Sequence, residues 1–125
     1  WSNVVTLDTG FTADDHDDYH LDRRDRLFGL GPLMTAANNL ELQTQVIGRA
    51  RGFVGTCGAL AWLAPMLGVP AVALFSDDSF LREHLYFARH TYTTMEAARF
   101  KTVDVSAFED LGVDAVSDLA RAALS

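Results

Sequence analysis

The chain holds a single cysteine, Cys57, in 125 residues, so no internal disulfide framework can staple it and a packed core must hold it together. A lone thiol fits a reducing compartment, and a cytoplasmic protein is the expectation. Positive charge is scarce too: 10 Lys and Arg stand against 17 Asp and Glu, a formal net charge of −7. Nucleic acids and anionic membranes reward Lys/Arg-rich faces, so this balance argues against a general affinity for either. Proline is confined to Pro32, Pro65 and Pro70, and long hydrophobic runs are missing. The longest apolar stretch, 58–75, is broken by Pro65, Gly68 and Pro70 and reads as a core helix plus a core strand, not a membrane span. Repeats and low-complexity linkers are absent as well. What remains is an ordinary globular composition, 49% hydrophobic and 22% charged, in a length that suits one domain. The chain opens Trp1-Ser2-Asn3, with Val4 already strand-like, which reads as a piece of a longer protein.

Apolar periodicity alternates between strand and helix. Asn3-Val4-Val5-Thr6-Leu7 is a β-rich run ended by Asp8-Thr9-Gly10, and 12–26 is a heavily charged loop. Leu27-Phe28-Gly29-Leu30 reads as a second strand closed by Gly31-Pro32. Asn38-Asn39 is a good N-cap for a helix over 40–50, where Leu42, Val46, Ile47 and Ala50 fall at helical spacing. Phe53-Val54 and 71–75 are strand-like around an Ala/Leu helix in which Pro65 predicts a kink or an early end. A further helix is predicted over 79–90, extended segments at 91–94 and 101–105, and a final amphipathic helix over 113–124. This alternation predicts an α/β, Rossmann-like three-layer αβα sandwich with a mainly parallel sheet.

The segment around Gly55 is the most telling. A strand ends in Gly55-Thr56-Cys57-Gly58-Ala59 and a helix starts at once, giving a βαβ unit whose turn is stripped of bulk. Unpaired amides and the positive end of a helix dipole make such a turn attractive to phosphate. The N–H groups of Cys57, Gly58 and Ala59 are the expected donors, with the Thr56 hydroxyl assisting. The competing reading is that Gly55 and Gly58 only permit tight strand–helix packing. Ligands of parallel sheets sit beyond the carboxyl ends of the strands. Thr9, Gly10, Ser76 and Asp77, which also follow strands, therefore join the candidate binding set.

Asn38-Asn39-Leu40, Gln43, Val46-Ile47, Ala50-Arg51, Phe53-Val54-Gly55-Thr56, Leu63-Ala64 and Leu67-Gly68-Val69-Pro70-Ala71-Val72-Ala73-Leu74-Phe75 together resemble the carboxy-terminal, donor-binding half of GT-B glycosyltransferases, heptosyltransferase-like branch. The likeness runs over about 38–76. It implies one Rossmann-like domain over 1–125, part of a longer two-domain enzyme, gripping the diphosphate of a nucleotide sugar. The sugar would pass to an acceptor hydroxyl, the acceptor-binding domain preceding Trp1, with the nucleotide sugar as substrate and no cofactor. Where many relatives have a polar turn, this chain has Thr56-Cys57-Gly58-Ala59, so backbone rather than side chains would hold the phosphate. Glu83 and Glu96 lie too far apart to match the glutamate pair of some retaining relatives.

Other features compete. Cys57 between small residues also mimics a nucleophile elbow, where a helix N-terminus would lower the thiol pKa and raise its reactivity. A non-catalytic binding module of the same fold is a third class. The run Asp14-Asp15-His16-Asp17-Asp18-Tyr19-His20 offers carboxylates and imidazoles of the kind that bind divalent metals. It reads equally as a solvated loop neutralised by Arg23, Arg24 and Arg26, or as a loop whose His16 or His20 reaches donor phosphate. Asp77 or Asp78 would accept from sugar hydroxyls or cap the following helix. Arg82, Glu83 and His84 would face the cleft between domains or solvent.

Overall fold

The computed structural model describes residues 3–9, 25–76, 82–95 and 99–106, together with Asp118 and Arg121. The chain is a mixed α/β, Rossmann-like fold in which every strand pairing among the described residues is parallel, and its contacts cluster in two units, 1–45 and 46–125.

In the first unit, β1 (Val4–Thr6) pairs with β2 (Leu27–Gly29) in the register Val4–Leu27, Val5–Phe28, Thr6–Gly29. A 3-10 turn, Gly31–Leu33, follows with Pro32 in its first turn, where a missing N–H does no harm. Helix α1 (Asn39–Ile47) begins as expected at the asparagine pair, but its cap faces backwards. The Asn38 carbonyl accepts the first helical bond from the Leu42 N–H, while its side-chain oxygen accepts from the N–H and hydroxyl of Thr35 at 2.7 and 3.0 Å. Gln43 on α1 is buried and donates through Nε2 to the Leu7 carbonyl at 2.9 Å, tying the helix to the chain after β1.

The second unit is a three-stranded sheet in the order β3 (Phe53–Thr56), β4 (Ala71–Phe75), β5 (Phe100–Asp104). Helix α2 (Ala59–Met66) connects β3 to β4, and α3 (Arg82–Thr94) connects β4 to β5. Register partners share a face, so Phe53, Gly55, Ala71, Ala73, Phe100 and Thr102 lie on one side. Both helices meet that side around Phe100. Trp62 of α2 and Tyr92 of α3 set their rings 5.4 and 4.8 Å from the Phe100 ring, and the Tyr92 hydroxyl donates to the Trp62 carbonyl. Ala61 and Ala64 on α2 and Ala71 and Ala73 on β4 are buried, and such small residues let helix and sheet approach closely. The expected final helix lies outside the described residues except for Asp118 and Arg121, which are helical and paired at 3.6 Å.

One expectation changes and one pair of alternatives is resolved. Thr91-Tyr92-Thr93-Thr94, expected to be extended because of its β-branched residues, forms the last turn of α3. Tyr92 falls two turns after buried Leu85 on the same stripe, and the hydroxyls of Thr93 and Thr94 donate to the carbonyls of Arg89 and Thr91. Packing and local bonding thus override a weak preference for the extended chain. Pro65, for its part, marks an early end rather than a kink. Helix α2 stops one residue later in a Schellman arrangement, with Gly68 N–H on the Pro65 carbonyl and Val69 N–H on the Ala64 carbonyl, both at 3.0 Å. Gly68 takes φ +76°, and nothing crowds its Cα. Gly68→Ala therefore meets backbone strain alone. It should destabilise the fold by about 1–2 kcal/mol in urea unfolding with an unchanged slope.

Candidate functional site

The carboxyl ends of β3, β4 and β5 form one edge, which carries Thr56-Cys57-Gly58, Ser76 and Asp104-Val105-Ser106. The ladder runs past the strands on both sides of β4. Cys57 N–H donates to the Leu74 carbonyl at 2.8 Å and Val105 N–H to the Phe75 carbonyl at 2.7 Å. The Cys57 amide is thus spent on the sheet and is not available to an anion, contrary to the sequence expectation.

Beyond it the chain turns into α2. Gly58 is the N-cap residue in an extended conformation, and no side chain caps the helix. Its carbonyl accepts the first helical bond, from the Trp62 N–H at 3.2 Å. The N–H groups of Gly58, Ala59 and Leu60 find no acceptor among the described residues. These are the orphan donors every helix start leaves, and here they meet the positive end of the dipole. The donor set moves one residue onward from the expected one.

The two glycines have different reasons. A Cβ on Gly55 would come within 2.8 and 2.9 Å of the Phe53 ring on the same strand, so its glycine makes room for that ring rather than for a helix. A Cβ on Gly58 would meet only the Thr56 carbonyl oxygen, at 3.9 Å. Among the described residues nothing requires glycine at 58, and none of them fills the space above its backbone. Thr56 is exposed, and strand alternation places it with Val54 on the face opposite α2 and α3, which removes its hydroxyl from the expected assisting role.

Burial raises the Cys57 thiol pKa, and the nearby Arg89 cation only partly offsets this. A helix N-terminus was expected to do the reverse. A thiol whose folded pKa lies above its unfolded value lends stability that is complete below the unfolded pKa and is lost as pH rises through the folded one. Iodoacetamide should therefore alkylate Cys57 more slowly than a free thiol at neutral pH, accelerate only on the alkaline side of the usual thiol range, and recover normal speed in urea.

Ser76 is exposed at the edge, whereas Thr9 follows β1 in the other unit and is half-buried. Gly10, Asp77, Asp78 and the run 14–20 lie outside the described residues. Among the described residues no group of three His, Cys, Asp or Glu could hold a metal. Likewise, no helix among them is long and apolar enough to cross a membrane.

Sequence reasoning missed two participants. Arg89 lies four residues after buried Leu85, and its guanidinium donates to the Thr102 hydroxyl through Nε at 2.9 Å and Nη2 at 2.5 Å. A cation beside an otherwise apolar stripe was the available signal. Asp104 ends β5, where the hydroxyl and then the amide of Ser106, at 2.6 and 2.9 Å, hold its carboxyl below the usual carboxylate range. The alternation at 101–105 marked a strand but gave no sign that its last residue would be a fixed acceptor on the edge.

The second unit is thus a parallel α/β sheet with an uncapped helix start at its carboxyl edge, an arrangement that many ligand-binding proteins share. No family model, curated protein or solved structure matches the chain.

Proposed function

We propose that this chain is the nucleotide-sugar-binding half of a glycosyltransferase, its donor diphosphate held by the N–H groups of Gly58, Ala59 and Leu60. The observation that carries the reading is the uncapped start of α2, open above Gly58, at the carboxyl edge of a parallel sheet. In such a transfer, negative charge builds on the departing diphosphate as the bond to the sugar breaks. Fixed backbone donors stabilise that charge without reorganising, and each one is worth about 3–4 kcal/mol in comparable sites. Asp104, two strands across, is far enough from α2 to spare the phosphate and is a suitable acceptor for sugar hydroxyls. Ser76, between them, offers a further hydroxyl. The acceptor-binding domain and the catalytic base would lie in another part of the enzyme, so this half alone binds nucleotide and transfers little. A nucleotide-sugar donor and a lone thiol suit a cytoplasmic setting.

Calorimetric titration with UDP, GDP and ADP, each against its nucleoside, tests the reading. Binding of at least one diphosphate with loss of most affinity in its nucleoside supports it. Equal affinity for diphosphate and nucleoside, or no heat from any of them, overturns it in favour of a non-catalytic module.

A further inference from the structure

A groove of about 370 Å³ runs along α3, lined by Arg82, Leu85, Tyr86, Arg89, His90 and Thr93. Each of these positions lies three or four residues from another of the set, so they form a single stripe on the helix. Leu85 is buried, while the polar residues around it are exposed. The stripe carries two guanidiniums and an imidazole with no carboxylate among its described lining, in a protein whose net charge is −7. Like charges gathered this way repel one another, by an amount that an anion between them would reverse. Arg82 and Arg89 lie seven residues apart, about 10 Å along the axis, a span that two long side chains can close around one phosphoryl group. The groove also has a flat flank. The Tyr86 and His90 rings are parallel to within 6°, with centroids 6.2 Å apart, and the Phe87 ring meets Tyr86 edge-on at 5.9 Å. A volume of this size is at the lower end of what small-ligand sites use.

We propose that the α3 groove is a binding site for an aromatic organic phosphate of mononucleotide size. Arg82 grips the phosphoryl group, Arg89, held by its Nε and Nη2 on Thr102, adds its Nη1 edge, and Tyr86 with His90 supplies the face on which the ring lies. Bidentate, planar guanidiniums suit phosphate oxygens, and an aromatic face suits a base irrespective of its identity. The site is built on α3; Arg89 also lies near Cys57, so the test is read at Arg82 and Tyr86.

The test titrates the whole chain with adenosine 5′-monophosphate and with adenosine, following the Arg side-chain Nε–H and the Tyr and His ring signals by NMR. The expected result is saturable shifts at Arg82, Arg89, Tyr86 and His90, and at least tenfold weaker binding of adenosine. Arg82→Gln should weaken the monophosphate at least tenfold, and Tyr86→Ala should weaken it several-fold. Monophosphate affinity unaltered by Arg82→Gln, shifts confined to Gly58–Leu60, or no shift at all would overturn the proposal.

Discussion

Replacing Gly58 by aspartate should make the chain more stable and abolish its nucleotide diphosphate binding. The backbone at 58 is already extended, as an N-cap residue requires, and has room for a side chain. An aspartate there would accept hydrogen bonds from the orphan amides and face the positive end of α2, which adds a few tenths to about 1 kcal/mol of stability. The same carboxylate occupies the donors that a diphosphate would use and repels it. Loss of such contacts corresponds to about 2–4 kcal/mol, or roughly 30- to 1000-fold in affinity. Few substitutions raise stability while removing a function at the same spot, so the two readouts together separate a vacated site from a damaged fold. Urea unfolding and diphosphate calorimetry on one protein sample give both. A variant that is more stable yet binds as well as the parent would count against the site.

The second large effect is structural. Tyr92→Ala should destabilise the second unit by about 3–5 kcal/mol, enough to threaten folding of a small domain. Tyr92 is buried, its ring packs on Phe100, and its hydroxyl donates to the Trp62 carbonyl, so one side chain joins α3, β5 and α2. Tyr92→Phe keeps the ring and loses the hydrogen bond, for which about 1 kcal/mol is expected. If the alanine variant unfolded at the same urea concentration as the parent, this three-way contact would not be the fastening it is taken to be.

The difference between what was legible and what was not follows from the range of the interactions. Helix stops are local. Leu67-Gly68-Val69-Pro70 could be read because a left-handed residue and a following proline end a helix within a few residues. The βαβ order could be read for a similar reason, since strand and helix periodicities switch at Thr56 and again at Pro70. The fate of the Cys57 amide was hidden, because it depends on how far β4 extends alongside β3, a matter of register between segments remote in sequence. Arg89 was missed in the same way, because its partner Thr102 lies on β5, beyond the end of its own helix. Thr91-Tyr92-Thr93-Thr94 was misread because its residue preferences point one way and the position of Tyr92 on the Leu85 stripe points the other. Gly55 and Gly58 look alike in sequence, and only the Phe53 ring distinguishes them.

The start of α2 is proposed as a cradle for an anion. Amide-resolved NMR titration with inorganic pyrophosphate tests it most directly, since that probe carries the diphosphate chemistry and nothing else. The account predicts saturable downfield shifts of the Gly58, Ala59 and Leu60 N–H signals, with the Cys57 N–H held in its bond to Leu74 and scarcely moved. Amides at 58–60 that stay in place at millimolar pyrophosphate, while the rest of the protein remains folded, would contradict it.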